Sequence, residues 1–145
     1  MKRFFNSPAG VYLLVLAVFL TASSAGLPEE SERRGERVRI YTRTLSPLSG
    51  ELLSANFRYM TVLMNEASSR SIDPGRDQRT VVLVHYEIID RLRIAMRTYN
   101  FRRVQPGFEF QRFSLYSRYT TGMDNDTLQE LLEEYDQEDL YEIRR

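Results

Sequence analysis

His85 is the only histidine among the 145 residues, and the chain has no cysteine. It is therefore the one conventional general base near neutral pH, and any Ser-His-Asp arrangement would have to use it. No Gly-x-Ser-x-Gly run presents a serine on a sharp turn, and His85 stands between Val84 and Tyr86 in the most apolar stretch of the chain. That setting predicts a partly buried packing histidine rather than a proton shuttle. The absence of cysteine removes thiol nucleophiles, disulfide frameworks, iron–sulfur clusters and Cys/His zinc sites together. Asp124-Asn125-Asp126 begins like a calcium loop, but Leu128 takes the next ligand position and no turn glycine follows. Carboxylates paired for glycoside cleavage need no histidine, yet the acids gather near the C-terminus, where a solvated helix face is the simpler reading. There is neither a phosphate-binding glycine loop nor a dinucleotide fingerprint. The expectation is a protein that is not an enzyme and uses no cofactor and no metal.

Charge is informative regionally. The whole chain balances 20 basic against 20 acidic residues, and 19 of the basic ones are arginine. Between residues 91 and 119 stand Arg91, Arg93, Arg97, Arg102, Arg103, Arg112 and Arg118 against the single acid Glu109, with seven aromatics interleaved. Guanidinium groups neutralise sulfate, phosphate or carboxylate, and rings stack or insert, so the segment has the chemistry of a polyanion or membrane-surface contact. From residue 120 to 143 there are nine acids and no base. The preferred reading is that this acidic stretch pairs with the arginines of the same molecule and repels a free polyanion.

The chain start reads as an export signal: Met1-Lys2-Arg3 is basic, Val11 to Leu20 is apolar, and small residues run from Thr21 to Ala25. The apolar run is short of the roughly 20 residues that cross a bilayer, so cleavage after Ala25 is expected, leaving no transmembrane span. The segment 26–37 is polar and Gly-, Pro-, Ser- and Glu-rich, a flexible leader ahead of a single domain over 38–145. Its end, Arg34-Gly35-Glu36-Arg37, has the spacing of a convertase site, making Arg37 a candidate processing position. Asn125-Asp126-Thr127 is an acceptor sequon, making Asn125 a candidate glycosylation site.

The elements that must position these groups follow from periodicity. Val38 to Thr44 alternates apolar or β-branched residues with arginine, as an edge strand would. Ser46-Pro47 signals a helix start, and Leu53, Phe57, Met60, Met64 and Ala67 recur at helical spacing to about Ser69. Asp73-Pro74-Gly75 is a turn. Thr80 to Asn100 is ambiguous: β-branched content favours a strand, while Val81, Val84, Ile88, Leu92, Ala95 and Tyr99 trace a helical face, and one helix from Asp77 to Tyr99 is preferred because no turn residue divides it. Gln105-Pro106-Gly107-Phe108 predicts a hairpin turn between aromatic strands. A terminal helix, Thr127 to Ile143, is capped by Asp126 with Gln129 three residues on.

The fold class expected is mainly α, a small three-helix domain with a short β-hairpin and an extended leader. The alternative is α+β with 80–89 as a central strand. The function expected is a small secreted binding protein, a cytokine-like ligand, effector or inhibitor presenting the arginines from Arg91 to Arg118 to a protein partner or receptor. Its alternatives are a precursor processed at Arg37 and a binder of a sulfated glycan or anionic surface through 91–119, with nucleic acid not expected as partner. Localisation is expected to be extracellular, or periplasmic in a bacterium.

Overall fold

The computed structural model describes residues 33–102 and 106–144, and for 106–108 the backbone alone. The expected signal peptide with its cleavage position Ala25, the leader up to residue 32, and Arg103 lie outside the described residues. The elements run β1 (Arg37–Thr42), β2 (Leu48–Ala55), β3 (Tyr59–Met64), α1 (Glu66–Ile72), β4 (Thr80–His85), a 3-10 turn (Tyr86–Ile88), β5 (Ile89–Ile94), β6 (Arg97–Asn100), α2 (Pro106–Tyr116), α3 (Asn125–Glu134) and β7 (Tyr141–Ile143). Seven strands form one sheet in the order β6-β5-β1-β2-β3-β4-β7, antiparallel except where β7 joins β4 in parallel. The fold is therefore mixed α+β, and the mainly α three-helix domain expected from the sequence is wrong. The alternative class holds, with the strand over 80–89 ending at His85.

The errors share a physical cause. β3 and β4 lie deep in the sheet, and Met60, Val62, Leu63, Met64, Val81, Val82 and Val84 are all fully buried. A strand covered on both faces carries no apolar–polar alternation, so residues at helical spacing can be picked out of it by chance. The expected helix from Ser46 to Ser69 is two strands and the short α1, and that from Asp77 to Tyr99 is β4, β5 and most of β6. Of the expected hairpin turn at Gln105–Phe108, Gln105 lies outside the described residues and Pro106 to Phe108 are instead the start of α2. The terminal helix is real but shorter, capped by Asp124 rather than Asp126, whose carboxylate accepts the Thr127 N–H at 2.8 Å. Residues 141–143 continue it as β7. β1 was expected at an edge and lies between β5 and β2.

β4 and β5 lie four places apart in the strand order, about 19 Å in a flat sheet at the usual strand spacing. The 3-10 turn that joins them has only three residues and spans roughly 8 Å at about 2 Å per residue. The sheet must therefore roll up on itself, and Tyr86 after β4 meets Phe101 after β6 with ring centroids 5.9 Å apart. The concave face encloses the main core, in which Val38, Ile40, Leu48, Leu52, Val82, Leu92 and Phe113 are fully buried. Phe113 of α2 closes it, packing edge-on against Tyr99 at 5.1 Å. A second core lies on the convex face, where Leu131 and Leu132 of α3 cover Leu53, Leu63 and Val81. Among the described residues, the members of both cores lie between Val38 and Ile143, within the compact unit Arg33–Arg145.

Consecutive Leu52 and Leu53 serve opposite cores by strand alternation, and the β2–β3 register shifts between Leu52 and Ser54 as a bulge. This bulge frees two carbonyls: Leu52 O accepts from Arg118 N and Leu53 O from Tyr119 N. Gly50 permits the close strand approach there, since a Cβ on it would sit 2.4 Å from Leu63 O.

Candidate anion-binding face

Alternation along β1 and β5 sends Val38, Ile40, Leu92 and Ile94 into the main core and leaves Arg37, Arg39, Arg91 and Arg93 exposed on the convex face. Among the described residues, α3 covers only the β2-β3-β4 half of that face. On the uncovered half the register sets Arg39 directly opposite Arg93, and Tyr41 opposite Arg91. The Tyr41 ring carries a guanidinium from each strand, Arg91 at 4.1 Å and Arg39 at 5.5 Å from its centroid. Like charges directly opposite one another in an antiparallel pair are destabilising. Among the described residues no acid lies within ion-pair distance of Arg34, Arg37, Arg39, Arg91 or Arg93.

The face continues into an open groove of about 990 Å³, whose charged lining is Arg34, Arg37, Arg39, Arg79, Arg93 and Arg118 against Glu51 and Glu134. Glu51, on β2, is already neutralised. Its two oxygens take Arg118 Nε and Nη2 at 2.8 Å each, Gly35 N–H donates at 2.8 Å, and Arg79 Nη2 stands 3.6 Å away. Burial alone would raise the Glu51 carboxyl, but the Arg118 hydrogen bonds, the Gly35 N–H and the charges of Arg118 and Arg79 outweigh it and hold it below its ordinary value. Arg118 is correspondingly pushed above the ordinary guanidinium value, chiefly by its hydrogen bonds to Glu51. Arg118 thus organises the site from beneath, while the arginines of β1 and β5 are free to face a ligand.

The seven sequence candidates do not act together. Arg91 and Arg93 join the face. Arg97 is exposed at the start of the edge strand β6. Arg102 reaches Asp90 at 3.4 Å, Arg112 reaches Glu109 at 3.2 Å, and Arg118 is bound to Glu51. The preferred expectation, that the acidic C-terminal stretch neutralises these arginines, is not what the geometry has: the ion partners of Arg102, Arg112 and Arg118 all come from outside residues 120–143. Arg34, Arg37, Arg39 and Arg79, which line the groove, are not among the sequence's binding candidates because they precede the dense segment. The signal that could have found them is the alternation Arg37, Arg39 in the β1 pattern, matched by Arg91, Arg93 in β5, once both are read as strands.

The remaining candidates have defined places. Arg37 opens β1 opposite Glu51, and the residues before it are held: Glu36 N–H donates to Tyr116 O, and Leu52 N–H donates to Glu36 O. Asn125 is exposed as the first residue of α3. His85 ends β4 on the convex face, 2.6 Å from Glu142 of β7 and beside the Tyr59 ring, and among the described residues no serine or threonine hydroxyl bonds to it. The pair ties the short β7 to the sheet. Among the described residues no three of His, Asp and Glu converge as a metal-ligand set, and no helix is long and apolar enough to cross a membrane.

The chain matches no family model, no curated protein and no solved structure.

Proposed function

We propose that this is a non-enzymatic binding protein whose convex β1–β5 face takes a polyanionic partner, an array of sulfate, phosphate or carboxylate groups, through Arg37, Arg39, Arg91 and Arg93. Arg34 and Arg79 flank the face. The observation that carries the reading is the register that opposes Arg39 to Arg93 with no acid between them. A fold keeps such a repulsion at a cost to its own stability, and a bound anion relieves it. Same-face residues on a strand are about 6.8 Å apart and neighbouring strands about 4.8 Å apart, so the guanidiniums form a lattice suited to multiple charges rather than to one small ion. Export, as read from residues 1–25, would bring the face to extracellular or periplasmic polyanions. The processing alternative at Arg37 is less favoured, because Gly35 and Glu36 are tied into the site by hydrogen bonds.

The test is retention on heparin as a function of salt. Each phosphate- or sulfate-type contact releases a counterion, so the slope of log affinity against log salt falls with the number of contacts. Replacing Arg39 and Arg93 together by Gln should shallow that slope by about two. An Arg58→Gln control, on the β2–β3 loop, should leave it unchanged. Equal elution of a folded R39Q/R93Q variant and the parent would refute the reading.

A further inference from the structure

The β5–β6 hairpin turns through Ala95 and Met96, whose φ angles are 48° and 62°. Two-residue turns of this hand need positive φ at both central positions, and Asn-Gly is the usual choice because a Cβ is strained there. Met96 is also completely exposed, at 102% of its reference surface. Its side chain adds nothing to either core, and its backbone is in a conformation that methionine disfavours. A strained residue that is kept exposed points to a role outside the fold.

The surroundings name that role. The tip borders the groove lined by Arg37, Arg39 and Arg93, and Arg97 follows it directly, exposed. An unpacked apolar side chain that lines the same groove as Arg34, Arg37, Arg39 and Arg93 is complementary to a layered surface, anionic headgroups lying over hydrocarbon. A polysaccharide sulfate would satisfy the arginines but offers no apolar layer to Met96. Building on the arginine-face reading, we propose that the ligand is the surface of an anionic lipid bilayer. The Ala95–Met96 tip enters the boundary between headgroups and acyl chains while Arg37, Arg39, Arg93 and Arg97 engage lipid phosphates and carboxylates.

The experiment compares residues 33–145 with two variants, A95N/M96G and R39Q/R93Q, in sedimentation with vesicles of phosphatidylcholine alone or of phosphatidylcholine and phosphatidylserine in equal parts, and in parallel on heparin. The parent should bind only the vesicles containing phosphatidylserine. A95N/M96G should melt at a higher temperature because the turn is relaxed, and bind those vesicles about fivefold more weakly because the apolar contact is lost, with heparin elution unchanged. R39Q/R93Q should lose both. The single variant M96S, which leaves the turn backbone as it is, should weaken vesicle binding in the same direction. Vesicle binding by A95N/M96G and M96S equal to the parent's overturns the insertion while leaving the arginine reading intact. Heparin retention without any binding to phosphatidylserine vesicles overturns the lipid surface as ligand. Loss of neither heparin nor vesicle binding in R39Q/R93Q means that the arginine reading itself has failed.

Discussion

Glu51→Gln separates what the buried carboxylate does for the fold from what it does to the site. The Glu51 and Arg118 side chains are only 12% and 13% exposed and are joined by two 2.8 Å hydrogen bonds. At about 4 Å and an effective dielectric near 20 the attraction of such a pair is roughly 4 kcal/mol, and desolvation of the two ions cancels part of it. Glutamine keeps the shape and one oxygen for the Gly35 N–H and Arg118 Nε, while its amide nitrogen meets Arg118 Nη2 donor to donor, so the charge and one acceptor are lost. Removing one charged partner of a fully buried pair costs about 3–5 kcal/mol, and the residual solvent access here lowers the expected cost to about 2 kcal/mol. For a unit of this size that is a fall in Tm of roughly 6–12 °C. The second consequence has the opposite sign. Arg118 and Arg79 lose their acceptor and add their charge to the groove, so heparin binding should strengthen and added heparin should recover part of the lost Tm. Thermal melting with and without heparin reads both effects. A variant that melts lower yet binds heparin no better than the parent would refute the account of Glu51 as the counter-ion that holds Arg118 out of the binding lattice.

Two further outcomes follow from the same structure. Because the folded Glu51 carboxyl is held below its ordinary value of 4.5, the stability it contributes is present above that value and is lost as pH falls through the lowered folded one. Asp73, held down by the Tyr141 hydroxyl and the Gly75 N–H, and Asp90, held down chiefly by Arg43, act in the same direction. The midpoint of denaturant unfolding should therefore drop below about pH 4.5, with a shallower acid limb in Glu51→Gln than in the parent; parallel limbs would remove Glu51 from the explanation. Phe113→Ala should cost about 3–5 kcal/mol, because the ring closes the concave core against Tyr99, Tyr86 and Phe101, and a loss under 1 kcal/mol in urea unfolding would show that α2 does not seal the sheet.

How much of this was legible in the residues can be argued element by element. β1 was readable because one of its faces is open to solvent, so Val38 and Ile40 alternate with Arg37 and Arg39. β5 has the same alternation, Leu92 and Ile94 against Arg91 and Arg93, but was absorbed into a supposed helix. The two turns that bound β5 carry neither glycine nor proline: Tyr86–Ile88 forms a 3-10 turn, and Ala95-Met96 takes up the positive φ angles that glycine or asparagine would ordinarily signal. α3 was legible in existence because its polar face is broad, whereas its end was not, since β7 follows after a short loop whose strand character depends on pairing with β4. The density of arginine between 91 and 119 points to two of the residues on the proposed face, Arg91 and Arg93. The other half of the site lies about fifty residues earlier in the chain, and only the β1–β5 pairing joins them.

The most direct test of the central claim is backbone amide NMR of residues 33–145 titrated with a short heparin fragment. Shift changes should concentrate on Arg37, Arg39, Tyr41, Arg91 and Arg93, the uncovered half of the convex face, and diminish with added salt. Changes confined to the α2 arginine Arg112 and the β6-end arginine Arg102, or no changes at a concentration that saturates retention on heparin, would contradict it.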